Sequence, residues 1–246
     1  MKDRFSNHAK QYATFRPTYP EALYDFILAQ INATSVAWDA GTGNGQVATR
    51  LAQTFDQVIA TDISEAQLSH APRKENIIYR VGDEMIPSIQ NNSIDLITVA
   101  QAIHWFDRPK FYQEVNRVLK PDGIIALWGY GLIEIDSAID VIIKSFYTQE
   151  VGSYWDIERK HIDNHYQSIG FPFQEIKSPA FSMQFRWNLS QLKGYLSTWS
   201  AVQKFKRERT EDPVEKLVDR IEPLLPDFFH VSFPLFLRIG RVTDKH

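Results

Sequence analysis

A chain of 246 residues with 43% hydrophobic and 13% aromatic content can bury one substantial core, and its length predicts a single domain with an elaboration. A formal charge of −3 and a pI near 6.2 show no overall basic excess, which disfavours a dedicated nucleic-acid binder and favours a small-molecule partner. The chain has no cysteine, no signal-like segment and no apolar run of about eighteen residues, so a metal-free cytoplasmic protein that does not span a membrane is expected.

Phe5, Ala9, Tyr12 and Phe15 recur at roughly helical spacing, and Pro17 and Pro20 then separate this segment from a second helix over Glu21–Gln30. Phe5 and Phe15 read as core. Tyr12, Arg16 and Tyr19 carry polar tips and gather at the proline-fixed turn, where a guanidinium and a phenol can hold a carboxylate. Residues 1–32 are therefore expected to form a helical lid.

The next stretch organises the chain. Val36 to Asp39 reads as a strand; Gly41, Gly43 and Gly45 follow at alternate positions, and a helix is expected over Val47–Phe55. Glycine there permits positive φ and brings a ligand close to the main chain without meeting a Cβ. A dinucleotide fingerprint has its third glycine three residues after the second, where this chain has Gln46. The pattern Asp39-x-Gly41-x-Gly43-x-Gly45, with Thr42 inside it, instead resembles the first motif of class I S-adenosylmethionine-dependent methyltransferases. In that family the loop wraps the amino-acid end of the cofactor.

Asp56–Asp62 is the second strand, and an acid at its end can accept both hydroxyls of a ribose; the competing reading makes Asp62 an N-cap for a helix from Ser64. Ile63 follows it along the expected cofactor edge. Asn76–Val81 is the third strand. The resemblance implies an acid after it that meets the adenine amino group, and here Gly82 stands at the usual place, so Asp83, or else Glu84, is expected to serve.

Ser93–Ala100 is a continuous apolar strand of the kind buried on both faces. It runs into Gln101-Ala102-Ile103-His104-Trp105-Phe106-Asp107, and this stretch resembles methyltransferases of the type 11 family, including its trans-aconitate methyltransferase-like branch. Ligands of an open α/β sheet sit beyond the carboxyl ends of the strands at the switch point, here between the first and fourth strands. Gln101 and Trp105 are thus expected beside the methyl donor, with His104 orienting or deprotonating an acceptor or, alternatively, bonded to main chain.

A helix over Arg108–Leu119, a turn at Lys120–Gly123 and a strand over Ile124–Trp128 complete the alternating pattern. Beyond it, helices are expected over Asp136–Thr148, Ile157–Ser168, Leu189–Arg207 and Pro213–Leu225, with long strands at Phe173–Trp187, interrupted by Pro179, and Val231–Val242. Trp199 lies in a segment that also resembles the trans-aconitate-like branch, which implies a contact with substrate, although aromatics at spacing four are more often core. The basic run Lys204–Arg209 has acids beside it and reads as a solvated face.

The expected architecture is a Rossmann-like, doubly wound, mostly parallel seven-stranded sheet with an antiparallel C-terminal hairpin. It forms one domain over 1–246, divided into the lid at 1–32, a cofactor core at 33–130, and a helical cap with the hairpin at 131–246. The resemblance implies methyl transfer from S-adenosylmethionine to a small molecule, with a carboxylic acid as one acceptor class. A cofactor-binding module without turnover and a nucleotide-dependent oxidoreductase remain as alternatives; neither the acceptor nor the oligomeric state is legible.

Overall fold

A computed structural model of the protein describes residues 17–86 and 88–242. Eight strands lie in one sheet: β1 (Val36–Ala40), β2 (Gln57–Asp62), β3 (Ile77–Val81), β4 (Ile94–Ala100), β5 (Leu119–Tyr130), β6 (Gln174–Ile176), β7 (Phe181–Trp187) and β8 (Phe229–Arg241). Their order is β3-β2-β1-β4-β5-β8-β6, with β7 also paired to β8. The first five strands are parallel to their neighbours, and β8 runs antiparallel to β5, β6 and β7. β6 and β7 together are the expected long strand, cut where Pro179 cannot donate to the ladder. Two halves therefore diverge from the gap between β1 and β4, which opens a crevice at the carboxyl ends of those strands.

The apolar runs of β1, β4 and β5 follow from burial on both faces. One face is covered by α1 (Glu21–Leu28), through Leu23, Tyr24 and Ile27, and by α2 (Gln46–Leu51), through Val47, Ala48 and Leu51. The C-terminal helices α5 (Ser137–Ser145), α7 (Leu189–Ser197), α8 (Ser200–Arg209) and α9 (Pro213–Ile221) pack on the same cluster. The other face carries Trp38, Ile59, Ile97 and Ile125 against α4 (Arg108–Val118) and α6 (Lys160–Asp163). A short α3 (Glu65–Ser69) links β2 to β3.

Several boundaries differ from the sequence expectation, each for a local reason. The Lys120–Gly123 turn is a bulge within β5, where register shifts between the Ile94–Leu119 and Leu96–Ile124 pairs. The single helix expected over Leu189–Arg207 is two: Thr198 turns its hydroxyl back onto the Tyr195 carbonyl at 2.6 Å, and Trp199 is extended at φ −64°, ψ 131°. Over Ile157–Ser168 only a short 3-10 turn and α6 form, because His165 and Tyr166 take left-handed φ of 54° and 61°. In the Lys204–Arg209 run, Lys204 pairs with Asp156, Lys206 with Asp212, and Arg209 donates to the Tyr154 hydroxyl. Among the described residues no helix is long and apolar enough to cross a membrane.

Candidate functional site

The three loop glycines have different reasons to be glycine. All have positive φ, of 70°, 56° and 78°. A Cβ on Gly41 would stand 2.7 Å from the Ala102 Cβ, and one on Gly45 would stand 2.5 Å from the Tyr79 hydroxyl. Those two positions are closed by the protein itself. A Cβ on Gly43 would meet nothing within 4 Å, because this residue faces the crevice. The amides of Gly41 and Thr42 donate to the Thr61 carbonyl, and that of Gly45 to the Thr42 carbonyl.

Asp39 holds this loop from beneath. Its carboxylate is buried, 1% exposed, and accepts from the Thr42 hydroxyl, from the Ala48 amide at 3.2 Å and from the Thr98 hydroxyl at 2.8 Å. Burial is the largest influence on it and outweighs those donors, pushing its pKa up to about 6 from 3.8. The folded state thus binds this proton more tightly than the unfolded chain does. The contribution of Asp39 to stability is therefore present at low pH and falls as pH rises from about 4 to about 6, by about 3 kcal/mol. Urea unfolding across that range should show wild type losing ground to Asp39→Asn as pH rises; a gap that moves the other way overturns the assignment.

Asp62 stands at the end of β2, with Oδ2 accepting from the Gly43 amide at 2.8 Å and Oδ1 from the Ser64 amide at 2.9 Å. It is not the N-cap of α3. Ser64 has that place, and its hydroxyl accepts from the Gln67 amide at 3.2 Å. Ile63, half-buried, follows Asp62 on the same edge. After β3, Asp83 is exposed and its Oδ1 accepts from the Met85 amide at 3.0 Å, whereas Glu84 is 4% exposed and its Oε2 has no hydrogen-bond partner among the described residues. This loop is anchored by Glu114 and Arg117, which the sequence did not single out. Glu114 Oε1 accepts from the Ile86 amide at 2.9 Å and from Arg117 at 2.6 Å, and Arg117 also donates to the Ile89 carbonyl.

At the end of β4, Gln101 takes φ of 54°, an uncommon conformation for a residue other than glycine, and its carboxamide donates to the Tyr130 carbonyl at 3.2 Å. The chain then turns away, and the expectation for His104 is revised. His104 is buried on the opposite face of the sheet, its ring 4.8 Å from that of half-buried Trp105, its Nδ1 3.2 Å from the Tyr166 hydroxyl. Burial first, then the positive charges of Arg159, His161 and Arg108, push its pKa down to about 3. Neither His104 nor Trp105 lines the crevice. Trp199 is also revised, from substrate contact to core: it is 4% exposed among the rings of Phe146, Tyr147, Trp155 and Tyr195. Tyr12 and Arg16 lie outside the described residues.

The crevice spans about 590 Å³, part of it open solvent. Asp39, the loop from Gly41 to Asn44 and the start of α2 line it from the β1 side, Ala100, Gln101 and Tyr130 from β4 and β5, and Pro17 and Tyr19 line it from the segment before α1. Gln46, where a dinucleotide fingerprint would have glycine, donates its carboxamide to the Pro17 carbonyl at 3.2 Å and ties the segment before α1 to the loop. A methyltransferase domain model of type 11 matches residues 38–127, from β1 through β5. A Dictyostelium discoideum protein provisionally named a methyltransferase is 34% identical, the match covering 97% of this chain and 95% of that one.

The chain belongs to the S-adenosylmethionine-dependent methyltransferases. Its methyl donor is S-adenosylmethionine, and its sheet order and terminal antiparallel strands are those of the class I fold. A solved structure from Anaeromyxobacter dehalogenans, provisionally assigned as a type II methyltransferase, superposes with a TM-score of 0.86 at 33% identity over 94% of this methyltransferase and all of that chain. A Saccharomyces cerevisiae protein provisionally named an S-adenosylmethionine-dependent methyltransferase is 26% identical, with 82% of each chain covered.

Proposed function

We propose that this methyltransferase transfers a methyl group to an oxygen of a small molecule, and that the acceptor is a carboxylic acid. The observation that carries the acceptor class is the chemistry of the crevice wall. Among the described lining residues the only titratable groups are Asp39, whose oxygens are engaged by Thr42, Thr98 and Ala48, and the phenols of Tyr19 and Tyr130. Asp39, although burial raises its pKa to about 6, is 1% exposed and spends its oxygens on the loop, so it is not placed to take a proton from an acceptor, and the imidazole of His104 is turned to the other face. An alcohol or amine acceptor must lose a proton on methylation, whereas a carboxylate is already a nucleophile. The resemblance of the Gln101–Asp107 stretch to the trans-aconitate-like branch supports the same class.

The donor set suits the cofactor. The free space at Gly43 would admit its amino-acid end, Asp62 would accept from the ribose hydroxyls, and the partnerless Glu84 oxygen would accept from the adenine amino group. Asp39 and Thr42 would act through the shape of the loop, Gln101 would close the methyl side, and Tyr12 and Arg16 would reach the site from the amino-terminal segment. The cofactor, when bound, supplies an electrophilic methyl on a sulfonium. The protein's own contribution is alignment and exclusion of water rather than proton transfer.

The test uses methyl-labelled S-adenosylmethionine with a panel of carboxylic acids, phenols and amines. Label should enter products that release methanol in mild alkali, as methyl esters do. Label confined to alkali-stable ethers or methylamines overturns the carboxylate assignment, and binding of the cofactor without transfer to any class favours the module without turnover.

A further inference from the structure

Trp128 is fully buried, and its indole N–H has no hydrogen-bond partner among the described residues. Two other indoles of the chain are paired. Trp38, equally buried, donates to the Thr61 hydroxyl at 3.0 Å, and Trp155 donates to the Tyr147 carbonyl at 3.1 Å. A donor removed from water and given no acceptor bears its desolvation cost uncompensated, so such a group calls for a specific explanation.

Its position offers one. Trp128 pairs in register with Ala100, which lines the crevice, and precedes by two residues Tyr130, which lines it as well; alternation puts Trp128 and Tyr130 on the same face. The edge-on ring of Tyr19, at 5.5 Å and 87°, stands against the indole, with Tyr24 at 6.5 Å. Tyr19 lines the crevice. The indole thus lies one side chain behind the wall, covered by a residue of the amino-terminal turn. It is on β5, two strands and about 10 Å across the sheet from β1, while Gly43 and Asp62 lie toward β1 and β2.

We infer that the Trp128 N–H is a binding donor for the acceptor substrate, reached when the Tyr19 ring moves aside, and that it takes a carboxylate or carbonyl oxygen. This deepens the carboxylate reading and rests on it. One oxygen of a carboxylate would bond the indole while the other faces the methyl side of the crevice. Trp128 is then a substrate-binding residue without acid–base chemistry, and Tyr19 is its gate.

Nuclear magnetic resonance of ¹⁵N-labelled protein tests this, with the Trp128 indole signal assigned through Trp128→Phe. S-adenosylhomocysteine should bind and leave that signal nearly in place. Acetate, succinate and benzoate are then titrated into the saturated protein, and at least one should move the signal downfield. The phenylalanine variant should bind that carboxylate about tenfold more weakly, with S-adenosylhomocysteine affinity within about twofold of wild type. No response to any of the three overturns the inference, as does a response to S-adenosylhomocysteine alone, which would give the donor to the cofactor. Failure of S-adenosylhomocysteine to bind shows in the first titration and removes the underlying reading as well.

Discussion

Gly43→Val should leave a folded protein that no longer holds its cofactor. At φ 56° a β-branched residue is strained by roughly 1–3 kcal/mol, which a domain with this much buried core tolerates. The side chain itself meets no protein atom, because the space beyond Gly43 is the crevice. A valine there occupies the volume the ligand must enter, so affinity for S-adenosylhomocysteine should fall on the order of 100-fold or more, about 2.7 kcal/mol. Gly41→Ala supplies the contrast. Its Cβ would stand 2.7 Å from the Ala102 Cβ, so overpacking of about 1–3 kcal/mol adds to the left-handed backbone cost and stability falls first. Calorimetry and thermal unfolding on both variants separate the two effects. Unchanged affinity in folded Gly43→Val would place the cofactor elsewhere.

Asp62→Ala should weaken S-adenosylhomocysteine by roughly 1.5–3 kcal/mol for each charge-assisted hydrogen bond lost to the ribose. The geometry adds a second consequence. The same carboxylate accepts from the Gly43 amide at 2.8 Å, so its removal also frees the loop at the point where the cofactor enters. The two contributions differ in what else they move. Loss of a ribose contact leaves the melting temperature of the unliganded protein close to wild type, whereas loss of the loop tether lowers it. A binding loss below about tenfold with a clear drop in stability would make Asp62 a loop anchor and not a ribose ligand.

The order of strands and helices through β5 was legible because each strand is buried on both faces and each intervening helix is amphipathic, so hydrophobic period alone separates them. The glycine loop was legible for a similar reason: positive φ at three alternate positions restricts the residue type. The C-terminal cap was less so. The break at Thr198 depends on a side-chain bond to the Tyr195 carbonyl, and the left-handed pair His165 and Tyr166 has no glycine to announce it.

The sequence by itself therefore determined the fold class, the position of the glycine loop and the acid at the end of β2, all of which follow from period, glycine spacing and chain order. Which side chains reach the crevice was decided only by the tertiary structure. His104 and Gln101 are three residues apart, yet one lies against Tyr166 beneath the sheet and the other spans toward Tyr130 in the crevice, because the left-handed turn at Gln101 redirects the chain. Trp199, expected beside the substrate, fills a cluster of aromatic rings. Residue type and spacing report what a side chain can do, but its surroundings come from contacts far apart in the chain, and no local pattern encodes them.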